Sequence, residues 1–128
     1  MTTQSLTVTT ASRPSKAANI TLWAIQGLLA LAFVMAGGSK LAGDEQMVAM
    51  FQQIGFGQWF RYLTGAIEVT GAIMLLIPRT AVIGGGLLAV TMIAGIGTHL
   101  FLIGGSPVPA IVLLALASIV VWHRRAAS

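Results

Sequence analysis

Four apolar stretches, at about residues 20–41, 59–77, 81–103 and 107–123, leave this chain almost no choice of solvent. A helix needs about 20 such residues to cross a hydrocarbon core. Helices satisfy their own backbone hydrogen bonds, which lipid cannot do for them. Composition agrees: 56% of the 128 residues are hydrophobic, 8% are charged and the mean hydropathy is +0.90. A soluble domain this short buries only about two thirds of the surface its chain exposes, too little to hide so much apolar area. The expected fold is an all-α membrane protein, a single domain over residues 19–125. Its connections are short, so the four transmembrane helices should form an antiparallel bundle.

The links carry their own signals. Pro78-Arg79-Thr80 reads as a tight turn, and so does Gly104-Gly105-Ser106, with Ser106 as N-cap and Pro107 at the first helical position. The link 42–58 is longer. Met47, Val48, Met50, Phe51 and Ile54 recur at helical spacing, Asp44 and Glu45 suit a first turn, and Gly55 and Gly57 end the pattern. This predicts a short amphipathic helix in the first, extracytoplasmic loop, lying on the membrane or capping the mouth of the bundle. Residues 1–18 are polar and rich in Ser and Thr, and read as a disordered cytoplasmic tail. The first apolar stretch is too long for a signal-peptide core and is read as an uncleaved anchor.

Lys and Arg set the orientation. Five of them (Arg13, Lys16, Arg79, Arg124 and Arg125) fall on one side and two (Lys40 and Arg61) on the other, so both termini should be cytoplasmic. Trp23 and Trp122 then mark the inner interface and Trp59 the outer one. The net charge of +4 is scattered and orients helices; it does not suggest nucleic acid. The chain has no cysteine, which excludes disulfides, dithiol chemistry and thiolate metal sites. Gly84-Gly85-Gly86 lacks the Lys-Ser/Thr of a phosphate loop, and no Gly-x-Ser-x-Gly elbow occurs. Metal ligands are too few for zinc, and no catalytic set stands out.

Glu68 is the anomaly. A carboxylate at the centre of a spanning helix costs about 2.5–3.5 kcal/mol on insertion scales. By helical rise it lies about 13 Å below the outer interface. Its helical neighbours Thr64, Gly65, Gly71 and Ala72 are small or polar, whereas Tyr62, Val69, Ile73 and Leu76 suit lipid, so Glu68 should face the bundle. Lys40 ends the first stretch beside Gly37, and His99 lies about 6 Å below the outer end of the third. These three are the candidate ligand- or proton-binding residues of a polar pocket opening outward. Gly37, Thr64, Gly65, Gly71 and Thr98 are the candidate lining residues. The structural alternative is a Lys40–Glu68 ion pair with His99 beside it, fixing helix register. Arg61 reads as an interfacial anchor, Gln26 belongs to an inner layer, and His123-Arg124-Arg125 reads as a solvated flank. The pairs Gly85/Ala89 and Ala94/Thr98 admit a homodimer as well as packing within one bundle.

Several segments carry a resemblance. They are Ala36-Gly37-Gly38-Ser39-Lys40-Leu41, Phe51-Gln52-Gln53-Ile54-Gly55, Gly65-Ala66-Ile67-Glu68-Val69-Thr70-Gly71-Ala72, Leu75-Leu76-Ile77-Pro78, and the run from Met92 to Thr98-His99-Leu100. In this order and spacing, from about residue 22 to 121, the chain resembles the DoxX family, and more closely its DoxX-like branch of small bacterial membrane proteins. The resemblance implies four helices in the bacterial inner membrane and matches Lys40, Glu68, Gly71 and His99 to the family's polar signature. It also implies a link to membrane redox or oxidative-stress systems, including subunits associated with thiosulfate:quinone oxidoreductase. Three functions follow as expectations: a non-catalytic redox accessory with a quinone at Glu68, a membrane scaffold or assembly factor with a purely structural polar cluster, or a small proton-coupled transporter. The expected partners are the lipid bilayer and other membrane or redox proteins. No cofactor is intrinsic, and quinone is the one candidate.

Overall fold

A computed structural model describes residues 15–125, which are helical with no strand among them. The elements are α1 (Lys16–Ala42), α2 (Glu45–Ile54), α3 (Gln58–Leu75), α4 (Ala81–Thr98) running on into a π-helical turn (His99–Ile103), and α5 (Val108–Arg124). Of the expected tail, residues 1–14 lie outside the described residues, while Lys16-Ala17-Ala18 already belong to α1. The helix starts early because Ser15 caps it: its Oγ accepts from the Ala18 N–H at 3.1 Å. At the other end of α1, Gly43 adopts φ 76° and its N–H turns back to the Lys40 carbonyl. Ser106 Oγ accepts from the Val108 N–H at 3.2 Å, so Pro107 takes the cap position and α5 begins one residue later than expected.

Two helices, Lys16–Ala42 and Ala81–Ile103, are long and apolar enough to cross a membrane, and Val108–Arg124 is a shorter apolar helix. α3 carries an acid and a base within its length, Glu68 and Arg61. Neighbours in sequence pack together, and α5 returns to α1, closing a ring. Contacts fix the directions: Gln26 meets Leu75 while Gly37 meets Gly65, so α1 and α3 run antiparallel. Gly84 against Met74, with Gly71 against Leu88, and Gly85 against Val121, with Gly95 against Ala110, give the same sense for the next two pairs. The core holds Leu29, Ala30 and Phe33 of α1, Ala72 and Leu75 of α3, Leu88 and Met92 of α4, and Ala117 and Val120 of α5. Outside it lie exposed apolar side chains on every long helix, among them Leu28, Met35, Ile73, Ile83, Val90, Ile93, Phe101, Ile111 and Trp122. So wide an apolar exterior suits acyl chains and not water. Val69 departs from the expected lipid face: its methyl lies where a Cβ on Gly37 would sit, in the α1–α3 seam.

α2 folds over the helix ends. Phe51 and Ile54 are buried, and the Phe51 ring meets Phe60 edge-on at 5.7 Å between centroids. Gln58 Nε2 holds the Val48 carbonyl at 3.0 Å. The apolar face of α2 therefore turns toward α3 and the π-helical turn. This packing over the helix ends agrees with the capping placement.

The opposite end is tied by a second polar network. Gln26 is fully buried; its Nε2 donates to the Leu75 carbonyl at 2.8 Å and its Oε1 accepts from Arg124 Nε at 2.7 Å. Arg124 also donates to the Asn19 side chain and stands 5.1 Å from the Trp23 ring centroid. Arg124 is thus no solvated flank, because the carbonyl that ends α3 recruits Gln26, and Gln26 in turn needs a donor. Gln26→Leu strands both partners. It should lower stability by about 1–3 kcal/mol, read as a lower detergent-solubilised melting temperature. A melting curve identical to wild type would show that water replaces the network at no cost.

Candidate functional site

The two charges that the sequence places apart meet in space. Lys40 Nζ lies 2.8 Å from Glu68 Oε1, with side-chain exposures of 13% and 4%. Two glycines make this approach possible. A Cβ on Gly37 would stand 2.7 Å from the Gly65 carbonyl oxygen, and one on Gly65 would stand 2.9 Å from the Gly37 oxygen and 3.0 Å from Lys40 Cβ. Backbones in such contact bring the Lys40 stem alongside the turn of α3 that bears Glu68. Lys40 Nζ also reaches the Ala36 carbonyl at 3.5 Å. Glu68 Oε1 is buried, and nothing among the described residues donates a hydrogen bond to Oε2.

Arg61 belongs to this arrangement and is only 5% exposed. Its Nη1 donates to the Lys40 carbonyl, its Nε donates to Gln58 Oε1 at 2.7 Å, and its guanidinium lies 4.3 Å from the Tyr62 ring centroid. The last carbonyls of a helix lack partners and carry partial negative charge, so a guanidinium one helix away is drawn onto them. The sequence hint was position: Arg61 sits seven residues before Glu68, on the same helical face.

Beside the pair lies a cavity of about 410 Å³ bounded by all the long helices and roofed by α2. Its walls are mostly apolar, with Met47, Met50, Phe51 and Ile54 from α2, Phe60, Leu63 and Ile67 from α3, and Val90 and Met92 from α4. Lys40, Glu68, His99, Thr64 and Thr98 all line it, together with Thr91. Gly37, Gly65 and Gly71 are not among its walls. The first two form the α1–α3 crossing, and Gly71 abuts Leu88 on α4. Small residues there serve approach between helices, and approach leaves no space to line. Thr91 was overlooked, although Thr91, Ala94, Gly95 and Thr98 share one face of α4 at helical spacing.

His99 reaches the cavity but not the pair. Its Nδ1 is 2.8 Å from the Gly104 carbonyl, and no hydrogen bond or ion pair joins it to Lys40 or Glu68. It opens the π-helical turn, a wider coil that recurs at functional sites. The loop Gly104-Gly105 folds back against the ring, with Gly105 close to the Nδ1 edge.

No curated protein and no solved structure matches this chain. The model of the DoxX-like family matches residues 24–122. That segment holds every residue of the ion pair and its cavity, and spans more than three quarters of the chain, which therefore belongs to the DoxX-like family.

Proposed function

We propose that this protein is a non-catalytic subunit or accessory of a quinone-linked redox or oxidative-stress system, and that it holds a small apolar ligand of the quinone class in the cavity under α2. In this reading all four long helices cross the bacterial inner membrane with both termini cytoplasmic, and the cavity lies in the periplasmic half. One observation carries it: a buried ion pair forms part of the wall of an otherwise apolar hollow. Small-molecule sites are concave and mostly apolar, with a few fixed polar groups and volumes of about 300–1,000 Å³. The apolar walls suit a ring and its tail. Lys40 keeps an ammonium hydrogen beyond those directed at Glu68 and Ala36, enough to meet one ring oxygen.

The test is thermal unfolding of the purified protein with a short-chain quinone, in its oxidised and its reduced form. A ligand at about 100 times its Kd should add about 2.7 kcal/mol of stability. If neither form moves the transition at saturation, the ligand reading is wrong. The scaffold alternative also rests on an observation, since the two charges neutralise each other at 2.8 Å across the α1–α3 seam. On that alternative no ligand shifts the transition, and Glu68→Gln lowers stability and the recovery of partner membrane proteins together.

A further inference from the structure

We infer that the cavity selects hydrogen-bond donors, so that its occupant is an uncharged hydroxyl compound on an apolar body; within the quinone-class reading, on which this rests, that is the reduced hydroquinone and not the quinone. The inference comes from where the wall's hydrogens point. Thr64, Thr91 and Thr98 each give their hydroxyl hydrogen to the carbonyl four residues earlier, Phe60, Leu87 and Ala94, all at 2.8 Å. A threonine bonded in this way presents only lone pairs to a ligand. A carbonyl can only accept, so the 2.8 Å contact with Gly104 requires the hydrogen of His99 on Nδ1. In the neutral ring, Nε2 is then a bare acceptor. It has no partner among the described residues and is not among the sealed polar atoms. Glu68 Oε1 is sealed beside Lys40 Nζ at 2.8 Å with no hydrogen bond of its own, and no described residue donates one to Oε2.

The lining residues therefore carry five acceptors free of a donor, against one residual donor on Lys40. A quinone brings two carbonyl acceptors and finds one hydrogen. A hydroquinone brings two O–H groups and finds several lone pairs. A cationic donor is excluded by charge, because Glu68 is already balanced by Lys40 at 2.8 Å and a second cation would lie in an apolar cavity without a counter-charge. A water-soluble polyol fails on the other count, since most of the wall offers it nothing but methyl and phenyl surface.

Three probes built on one tetramethyl ring separate the possibilities in the full-length protein in lipid nanodiscs: durohydroquinone kept reduced under nitrogen, its dimethyl ether, and duroquinone. Binding is followed by tryptophan fluorescence. Two donor bonds should favour the hydroquinone by about tenfold or more over both other probes. Thr98→Val and Thr91→Val keep side-chain shape and remove the lone pairs; together with His99→Leu they should shrink that preference. Should duroquinone or the ether bind as tightly as the hydroquinone, the donor inference is overturned while a quinone-class site stands. Should none of the three bind, both readings fall. If His99→Leu does not fold, the two threonine variants still decide, because a preference they leave untouched overturns the assignment of their oxygens.

Discussion

Lys40→Met should destabilise this protein by about 3–5 kcal/mol, the usual cost of leaving one member of a buried ion pair without the other. Glu68 has no second cation to turn to. Lys40 is its only ionic partner among the described residues, and Arg61 is engaged with the Lys40 carbonyl and Gln58. Glu68→Gln should cost less, because the Lys40 side chain is 13% exposed and its long stem lets the ammonium swing toward the interface. The double variant, Lys40→Met with Glu68→Met, should recover most of the loss, since an apolar pair fills the same seam with no desolvated charge. Thermal or SDS-driven unfolding of the four species completes a double-mutant cycle. Strict additivity would show that the two charges do not stabilise each other, and would remove the basis of the site.

The second large effect is a contrast between adjacent residues. Gly37→Ala places a methyl 2.7 Å from the Gly65 carbonyl oxygen and 2.8 Å from Val69 Cγ2, and one of those obstacles is backbone that cannot rotate away. Overpacking of this kind costs about 1–3 kcal/mol, and Gly37→Val should exceed that range. Gly38→Ala meets nothing within 4 Å. It should be neutral or stabilising by about 0.5–1 kcal/mol, as alanine usually is over glycine within a helix. Parting α1 from α3 also draws Lys40 away from Glu68, so Gly37→Val should lose the ligand response as well as stability. Equal melting temperatures for Gly37→Ala and Gly38→Ala would mean that the crossing is looser than its geometry implies.

Much of the architecture was legible because it depends on local chemistry. Apolar runs, Gly55, Pro78 and Ser106 mark helix bodies and ends through propensity, capping and the missing proline N–H, none of which needs a partner from elsewhere in the chain. The burial of Glu68 was legible for the same reason, since Thr64, Gly65, Gly71 and Ala72 surround it on its own helix. The pairing with Lys40 was one of the arrangements anticipated. Its means was less visible, because the glycines assigned to a pocket wall turn out to be the contact that brings the two helices together.

Sequence alone thus located the helix bodies and the turns between them to within a few residues, and the inward turn of one carboxylate, for these follow from periodicity along a single stretch of chain. Only the tertiary structure decided that Arg61 caps another helix, that Arg124 answers Gln26, that α2 roofs a cavity, and that His99 faces a carbonyl instead of the acid. Hydrogen-bond partners form between groups up to 105 residues apart, and which groups meet is set by how closely the backbones pack, a quantity no single helix carries in its own sequence.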